Sequence, residues 1–181
     1  MFEVRKSLGM EKEKKKSRID GKMLSWLAML TALSVVGASI KIPAIVGSVA
    51  LDVFPALLAA ALFRGWAGAL VGALGHLISA LLAGFPLGPM HFLIATEMAV
   101  LVLMFGAVYK NNKKVAASTL FILGNAFVAP FPFIFLMNIG FYWAIVPSLF
   151  IGSILNTVIA LIVIPRLSAV GKIVGNTEVK Q

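Results

Sequence analysis

The sequence predicts an all-α integral membrane protein with six transmembrane helices, both termini in the cytoplasm, and no soluble domain. Of its 181 residues, 60% are hydrophobic and 13% are charged. Soluble domains are usually about half apolar and a quarter charged. Most of the charges lie in the first 22 residues, and the rest of the chain has room for about six apolar spans.

The composition and motifs also exclude several classes of chemistry. The absence of cysteine excludes disulfides, thiolate metal sites and cysteine nucleophiles. The chain has no P-loop, no G-x-S-x-G and no H-E-x-x-H motif. Two isolated histidines make a poor metal site. We therefore expect no metal, no cofactor and no enzyme activity.

Three regions are expected: a basic cytoplasmic tail (1–22), a membrane domain (23–170) and a cytoplasmic C-terminal tail (171–181). The net charge of +9 is compatible with nucleic-acid binding. Its placement argues against that, because a basic tail beside a span is the usual cytoplasmic anchor. The tail lacks the features of a cleaved signal peptide, so the first span is expected to be retained.

The lysines and arginines predict the orientation. With the N-terminus inside, the inner segments hold the basic tail, Arg64, the loop 110–114, and Arg166 with Lys172. The outer loops then hold only Lys41, which is the asymmetry that the positive-inside rule describes. We expect a pocket near the outer face.

The first predicted span is 23–40, and it carries the pair Ala28-xxx-Ala32. Small residues at this spacing let another helix approach closely. The pair packs either against another helix of this chain or against a partner membrane protein.

The segment 43–51 holds proline, glycine and β-branched residues, which predict a non-helical loop packed against the bundle. The second span is predicted at 52–63. Pro55 falls in its first turns, where proline is tolerated, and Asp52 is a candidate N-cap.

The third span is predicted at 66–83, with the close-packing spacing Gly68-xxx-Gly72, and the fourth at 90–109. The fifth is predicted at 115–137, with its second half broken by prolines at 130 and 132. The sixth is predicted at 141–164, with an interruption near Pro147.

Asp52 and Glu97 are the only acidic residues between positions 21 and 177. A carboxylate at membrane depth is costly and is by default a functional hypothesis. The alternative is that each pairs with Lys41 or a histidine, or reaches interfacial water.

The remaining polar residues have both a ligand-binding and a structural interpretation. His76 either binds a ligand or bridges two helices, and His91 faces either the pocket or lipid headgroups. Asn125, Asn138 and Asn156 suit interhelical hydrogen bonds of about 0.6 kcal/mol each. The neighbouring aromatic pair at 142 and 143 suits the interfacial belt or a stacking platform.

Three stretches carry a resemblance to a known family. They are A-L-S-V-V-G-A-S-I-K-I-P at 32–43, S-V-A-L-D at 48–52 and G-A-L-V-G-A-L-G-H-L-I-S-A at 68–80. With the order of spans, they resemble the substrate-binding S components of energy-coupling factor (ECF) vitamin transporters over about residues 23–170. The three stretches are similar to a subgroup linked to α-ribazole, a cobalamin precursor.

The resemblance implies a chain that binds a small vitamin-like molecule from outside in the membrane of a prokaryotic cell. It would dock through Ala28 and Ala32 onto a transmembrane coupling subunit that is carried by two ATP-binding subunits. A ring and a ribose suit stacking aromatic residues and hydrogen-bonding polar residues. The candidate substrate-binding residues are Asp52, His76, Phe85, His91, Glu97, Asn125, Asn138, Tyr142 and Trp143.

Three alternatives remain at this level. One is an S component for another vitamin. The second is an intramembrane enzyme that uses His76, Ser79 or Glu97, although no orienting carboxylate is evident for the His76–Ser79 pair. The third is a small channel or structural membrane protein, which would bind no ligand tightly.

Overall fold

The computed structural model describes residues 21–43 and 48–177. The first 20 residues of the predicted basic tail and the last four of the C-terminal tail lie outside this part. The described chain is helical apart from one short hairpin. In order, its elements are α1 (Gly21–Ser39), β1 (Lys41–Pro43), β2 (Ser48–Ala50), α2 (Phe54–Leu62), α3 (Gly65–Leu82), α4 (Met90–Lys110), α5 (Lys114–Leu123), a π-helical turn (Gly124–Val128), α6 (Phe133–Leu136) and α7 (Ile139–Thr177).

Five helical stretches in the described chain are long and apolar enough to cross a membrane. They are Gly21–Ser39, Gly65–Leu82, Met90–Lys110, Lys114–Leu136 and Ile139–Ser168. In each stretch, 33% of an apolar 18-residue window is buried inside the bundle. The fifth predicted span, α5 to α6, is one of these stretches. The described bundle is therefore that of a multi-pass membrane protein.

The second predicted span is shorter than the other five. Helix α2 has 9 residues, which give a length of roughly 14 Å, and this is too short to cross a bilayer by itself. The described residues thus contain five candidate spans and one short helix. Six spans with both termini in the cytoplasm stay a prediction.

Helix α2 is the buried centre of the bundle. It packs against α1, α3, α4 and α7, and its residues 56–60 are at most 1% exposed. A β-carbon on Gly68 of α3 would lie 2.5 Å from Ala60 Cβ and 2.6 Å from the Ala56 carbonyl oxygen. The predicted close packing at Gly68 is confirmed, because only a glycine lets α3 approach α2 this closely.

The predicted non-helical loop contains an antiparallel hairpin between α1 and α2. Lys41 pairs with Ala50, Ile42 with Val49 and Pro43 with Ser48. Its second strand also contacts α7. The hairpin therefore leads the chain from the end of α1 into the middle of the bundle, where α2 begins.

Proline residues interrupt the helix of the fifth predicted span but not that of the sixth. The chain leaves helical geometry around Pro130 and Pro132, as predicted. Helix α7 instead remains helical through Pro147 and Pro165. The predicted interruption near Pro147 is therefore wrong. Because α7 runs on to Thr177, the predicted tail at 171 begins within a continuous helix, and its location in the cytoplasm stays a prediction. Membrane helices tolerate proline because neighbouring groups satisfy the freed backbone carbonyl.

Candidate functional site

A cavity of about 340 Å³ lies within the bundle, between the start of α2, helices α3, α4 and α7, and the π-helical turn. Its walls are mainly apolar and include three phenylalanines, Phe121, Phe133 and Phe141. Among the described side chains, no lysine or arginine lines it. The polar lining residues are Asp52, His76, His91, Glu97, Asn125, Ser148, Ser153 and Asn156.

Five of the nine predicted substrate-binding residues line this cavity, although they come from four different parts of the chain. Asp52 precedes α2, His76 is on α3, His91 and Glu97 are on α4, and Asn125 is in the π-helical turn. The fold thus brings together the two membrane carboxyls, both histidines and an asparagine.

The other four predicted residues lie outside the cavity lining. Phe85 packs against the His91 ring with a centroid distance of 4.9 Å. The Asn138 side chain accepts a hydrogen bond of 2.8 Å from the Phe141 amide at the start of α7. Tyr142 donates to the Phe127 carbonyl at 3.2 Å, and Trp143 is 61% exposed. Their proposed contacts with substrate remain predictions.

Asn156 of α7 holds the chain segment that carries Asp52. Its Oδ1 accepts hydrogen bonds from the backbone amides of Val53 at 3.0 Å and Phe54 at 2.9 Å. Its Nδ2 donates to the carbonyls of Ala50 and Gly152, each at 2.9 Å. All four hydrogen-bonding positions of this buried amide are therefore used. Three of them bind the hairpin and the start of α2, at Ala50, Val53 and Phe54.

Asn156 acts as the cap of α2 from another helix. The first amides of a helix have no partner within it and need one. The N-cap residue is Val53, and no side chain from the segment itself caps α2. The prediction that Asp52 caps the helix is therefore wrong. The Asp52 side chain instead lines the cavity.

Helix α1 holds the same segment from the opposite side. The Leu51 amide donates to the Gly37 carbonyl at 3.1 Å, and the Ser34 hydroxyl donates to the Asp52 carbonyl. A β-carbon on Gly37 would overlap the Leu51 carbonyl. With Asn156, these contacts fix the backbone on both sides of Asp52, so that its carboxyl has a defined place at the cavity wall.

The two histidines form a pair between α3 and α4. His76 Nε2 lies 3.1 Å from His91 Nδ1, and the Leu87 amide donates to His91 Nε2 at 3.3 Å. His91 is 6% exposed and faces the cavity, so the lipid-headgroup alternative does not describe it. His76 both bridges two helices and borders the cavity.

Asn125 is placed by the π-helical turn. Such turns insert one residue into a helix and are frequent at functional sites. Its Nδ2 donates to Ser153 Oγ at 2.8 Å, and Ser153 in turn donates to the Leu149 carbonyl at 2.6 Å. This chain of hydrogen bonds ties Asn125, which lines the cavity, to α7.

Ala28 and Ala32 lie on the face of α1 that the described bundle leaves uncovered. The residues that α1 buries are Met23, Leu27, Leu30, Thr31, Ser34 and Gly37. Both alanines are exposed, with the larger exposed side chains Leu24 and Val36 on the same helix. Within the described part of the chain, the pair therefore does not serve packing between its own helices.

Several lining residues were not predicted. Asn156 was expected only to bridge helices, although its place within a long apolar helix marks it as a buried polar group. The three phenylalanines and two serines carry no comparable signal, because phenylalanine and serine are common in membrane helices. The π-helical turn is not visible in the spacing of apolar residues.

Two comparisons with known proteins agree with this architecture. The profile of the family described as "ECF transporter, substrate-specific component" matches residues 22–168. The solved structure described as "Structure and mechanism of the S component of a bacterial ECF transporter" has 24% sequence identity and a TM-score of 0.67. That match covers 82% of this chain and 96% of the other and shows the same fold. No curated protein matches the chain. The chain therefore belongs to the family of substrate-specific components of ECF transporters, which bind substrates for transport and are not enzymes.

Proposed function

We propose that this chain captures a small, uncharged, vitamin-like molecule in the cavity and passes it to an ATP-driven importer in the membrane of a prokaryotic cell. ECF S components work with a transmembrane coupling subunit and ATP-binding subunits. We propose that the importer contains two such ATP-binding subunits. The preferred substrate is a cobalamin precursor such as α-ribazole, and another vitamin is the alternative.

The observation that carries the proposal is the chemistry of the cavity. Its volume of about 340 Å³ lies within the range of roughly 300–1,000 Å³ for small-molecule sites. No described lysine or arginine lines it, which disfavours a phosphorylated ligand because a charge in a poorly solvated site is costly without a partner of opposite charge. Phenylalanine walls suit a flat ring, since aromatic pairs stack or meet edge to face.

The same groups suit the hydroxyls of a ribose. Asp52 and Glu97 offer carboxyl oxygens and Asn125 offers an amide oxygen, and each accepts a hydrogen bond from a hydroxyl. A sugar bound in this way satisfies polar groups that would otherwise be buried without partners. α-Ribazole has both a flat bicyclic base and a ribose.

The proposed orientation places the hairpin outside and both termini in the cytoplasm, with the short α2 completing six crossings. This agrees with the excess of lysine and arginine on the other side. The exposed Ala28–Ala32 face of α1 is the proposed docking surface for the coupling subunit, because small residues permit close contact between helices.

Isothermal titration of the detergent-purified chain tests the substrate. We expect saturable binding of α-ribazole and at least tenfold weaker binding of α-ribazole phosphate, because no described lysine or arginine lines the cavity to pair with the phosphate. Riboflavin, thiamine and biotin serve as competitors of other vitamin classes. Tight binding of one of these without binding of α-ribazole would overturn the substrate but keep the S component. Equal binding of the phosphate would overturn the proposed neutral class.

A further inference from the structure

We propose that the histidine pair fixes His76 as a hydrogen-bond donor toward the cavity. His76 then recognises a hydrogen-bond acceptor on the bound molecule, such as an unprotonated ring nitrogen. His91 acts as the positioning residue that sets this polarity. The inference rests on the proposed function for the identity of the ligand, but the state of the histidines is testable without any ligand.

The argument starts at the Leu87 amide, which is able only to donate. It lies 3.3 Å from His91 Nε2, so this nitrogen carries a lone pair and no proton. A histidine ring has at least one N–H, and the proton of His91 is therefore on Nδ1. Since one nitrogen is unprotonated, His91 is neutral.

The second step follows from the contact between the two rings. His91 Nδ1 lies 3.1 Å from His76 Nε2. Two N–H groups facing each other at this distance would repel, so His76 Nε2 is the acceptor. The proton of the neutral His76 ring is then on Nδ1. The pair thus holds His76 in one defined tautomer, because the partner of one ring nitrogen decides the state of the other.

The third step concerns the N–H group at Nδ1 of His76. His76 Nδ1 has no hydrogen-bond partner among the described residues, and the side chain lines the cavity. A half-buried N–H without a partner costs free energy, which an acceptor on the bound molecule recovers. The carboxyls of Asp52 and Glu97 line the same cavity, and the His76 N–H adds a donor of fixed polarity to these polar groups.

The turn between α3 and α4 positions Leu87 for this role. Gly84, Phe85 and Gly88 all have positive φ angles, of 83°, 55° and 54°. The left-handed conformation is unfavourable for a bulky residue, so Phe85 is held there by its surroundings. Its ring meets the His91 ring edge-on at 4.9 Å. Phe85 therefore packs against His91. The same turn carries the Leu87 amide, which sets the tautomer of His91.

Nitrogen-15 NMR of the detergent-solubilised chain, labelled on histidine, tests the tautomers directly. The chain has 2 histidines, so the spectrum contains two rings. We expect each ring to be neutral with its proton on Nδ1, and a nitrogen–nitrogen coupling across the bond between His91 and His76. Protonation on Nε2 in either ring, or the absence of that coupling, would overturn the proposal.

Two variants of the positioning residue separate its chemistry from its packing. His91→Gln keeps an acceptor for the Leu87 amide and a donor for His76, whereas His91→Leu keeps neither. In each variant His76 is the single remaining histidine. We expect the Nδ1–H tautomer of His76 in His91→Gln and a shift toward the Nε2–H tautomer, which the free side chain prefers, in His91→Leu. The same tautomer in both variants would contradict the positioning role.

A ligand pair tests the recognition of an acceptor. α-Ribazole has one unsubstituted ring nitrogen in its base, and the matched indole riboside has a C–H group at that position. We expect the wild-type chain to bind the indole analogue roughly tenfold to hundredfold more weakly, because the His76 N–H loses its partner. His76→Phe is expected to bind both equally.

Equal binding of the two ribosides by the wild-type chain would overturn the acceptor contact, even where the NMR result holds. If neither riboside binds, the proposed substrate fails. The NMR measurements on the unliganded chain still decide the polarity of His76 in that case, so the two failures are distinguishable.

Discussion

Replacing Ala28 and Ala32 together with leucine is expected to abolish ATP-driven uptake while leaving substrate binding unchanged. Both alanines are exposed on α1, on the opposite side from its buried residues. Leucines there do not disturb the bundle. They do separate α1 from a helix of the coupling subunit, because close approach depends on small side chains. The measurement is α-ribazole uptake into vesicles that contain the chain, the coupling subunit and the ATP-binding subunits, beside titration of the isolated chain.

Two other exposed alanines provide the matched control. Ala107 of α4 and Ala116 of α5 also face outward, but they are outside the proposed docking surface. Ala107→Leu with Ala116→Leu is expected to retain both binding and uptake. Normal uptake by the Ala28 and Ala32 variant would contradict the docking proposal, and so would a loss of its binding, since that would place the pair inside the fold.

Replacing Asn156 with leucine is expected to lower the free energy of unfolding by about 3–5 kcal/mol and to abolish substrate binding. The change leaves the Val53 and Phe54 amides and the Ala50 carbonyl without their partner. Each buried backbone group without a partner costs about 1–3 kcal/mol. Because these groups flank Asp52, the carboxyl also loses its defined position at the cavity.

A graded series separates the loss of the cap from a general effect of size. Asn156→Asp keeps an oxygen for the Val53 and Phe54 amides but loses the donor to Ala50, so its destabilisation is expected to be smaller. Asn138→Leu removes an exposed cap of α7, which typically costs about 0.5–2 kcal/mol. Thermal and denaturant unfolding in detergent provide the measurement. Equal stability of the leucine variants at 156 and 138 would contradict the proposed role of Asn156.

Much of the fold follows from local patterns in the sequence. Long apolar runs between basic segments predicted the five candidate spans to within about two residues for most boundaries, and glycine spacing predicted the close approach of α3. The short α2 was harder, because its apolar run continues into neighbouring segments. Its cap, Asn156, lies 103 residues from Val53, and no local pattern indicates a partner at that distance.

The ionisable residues of the candidate site were easier to predict than its aromatic residues. Few residues are charged or ionisable inside an apolar bundle, so Asp52, Glu97 and both histidines stood out, and all four line the cavity. Tyr142 and Trp143 were treated as one pair, suited either to the interfacial belt or to a stacking platform. Adjacent helical residues point about 100° apart, which explains why the first is buried and the second exposed.

The pairing of the histidines was not predictable from their spacing. His76 and His91 are separated by a turn of which three residues have positive φ angles. Two of these are glycines, which suit that conformation, but Phe85 gives no such signal. The contact between the two histidine rings depends on the conformation of that turn, and so does the hydrogen bond from the Leu87 amide.

Filling the cavity with a larger side chain and then measuring the binding of α-ribazole tests the central claim most directly. Ile94 lines the cavity from α4, whereas Leu103 of the same helix is 45% exposed on the outer surface. Titration and native mass spectrometry of the purified chain are expected to show no bound α-ribazole for Ile94→Trp. Leu103→Trp is expected to bind it like the wild type. Equal binding by the two variants would show that substrate is held elsewhere and would contradict the account.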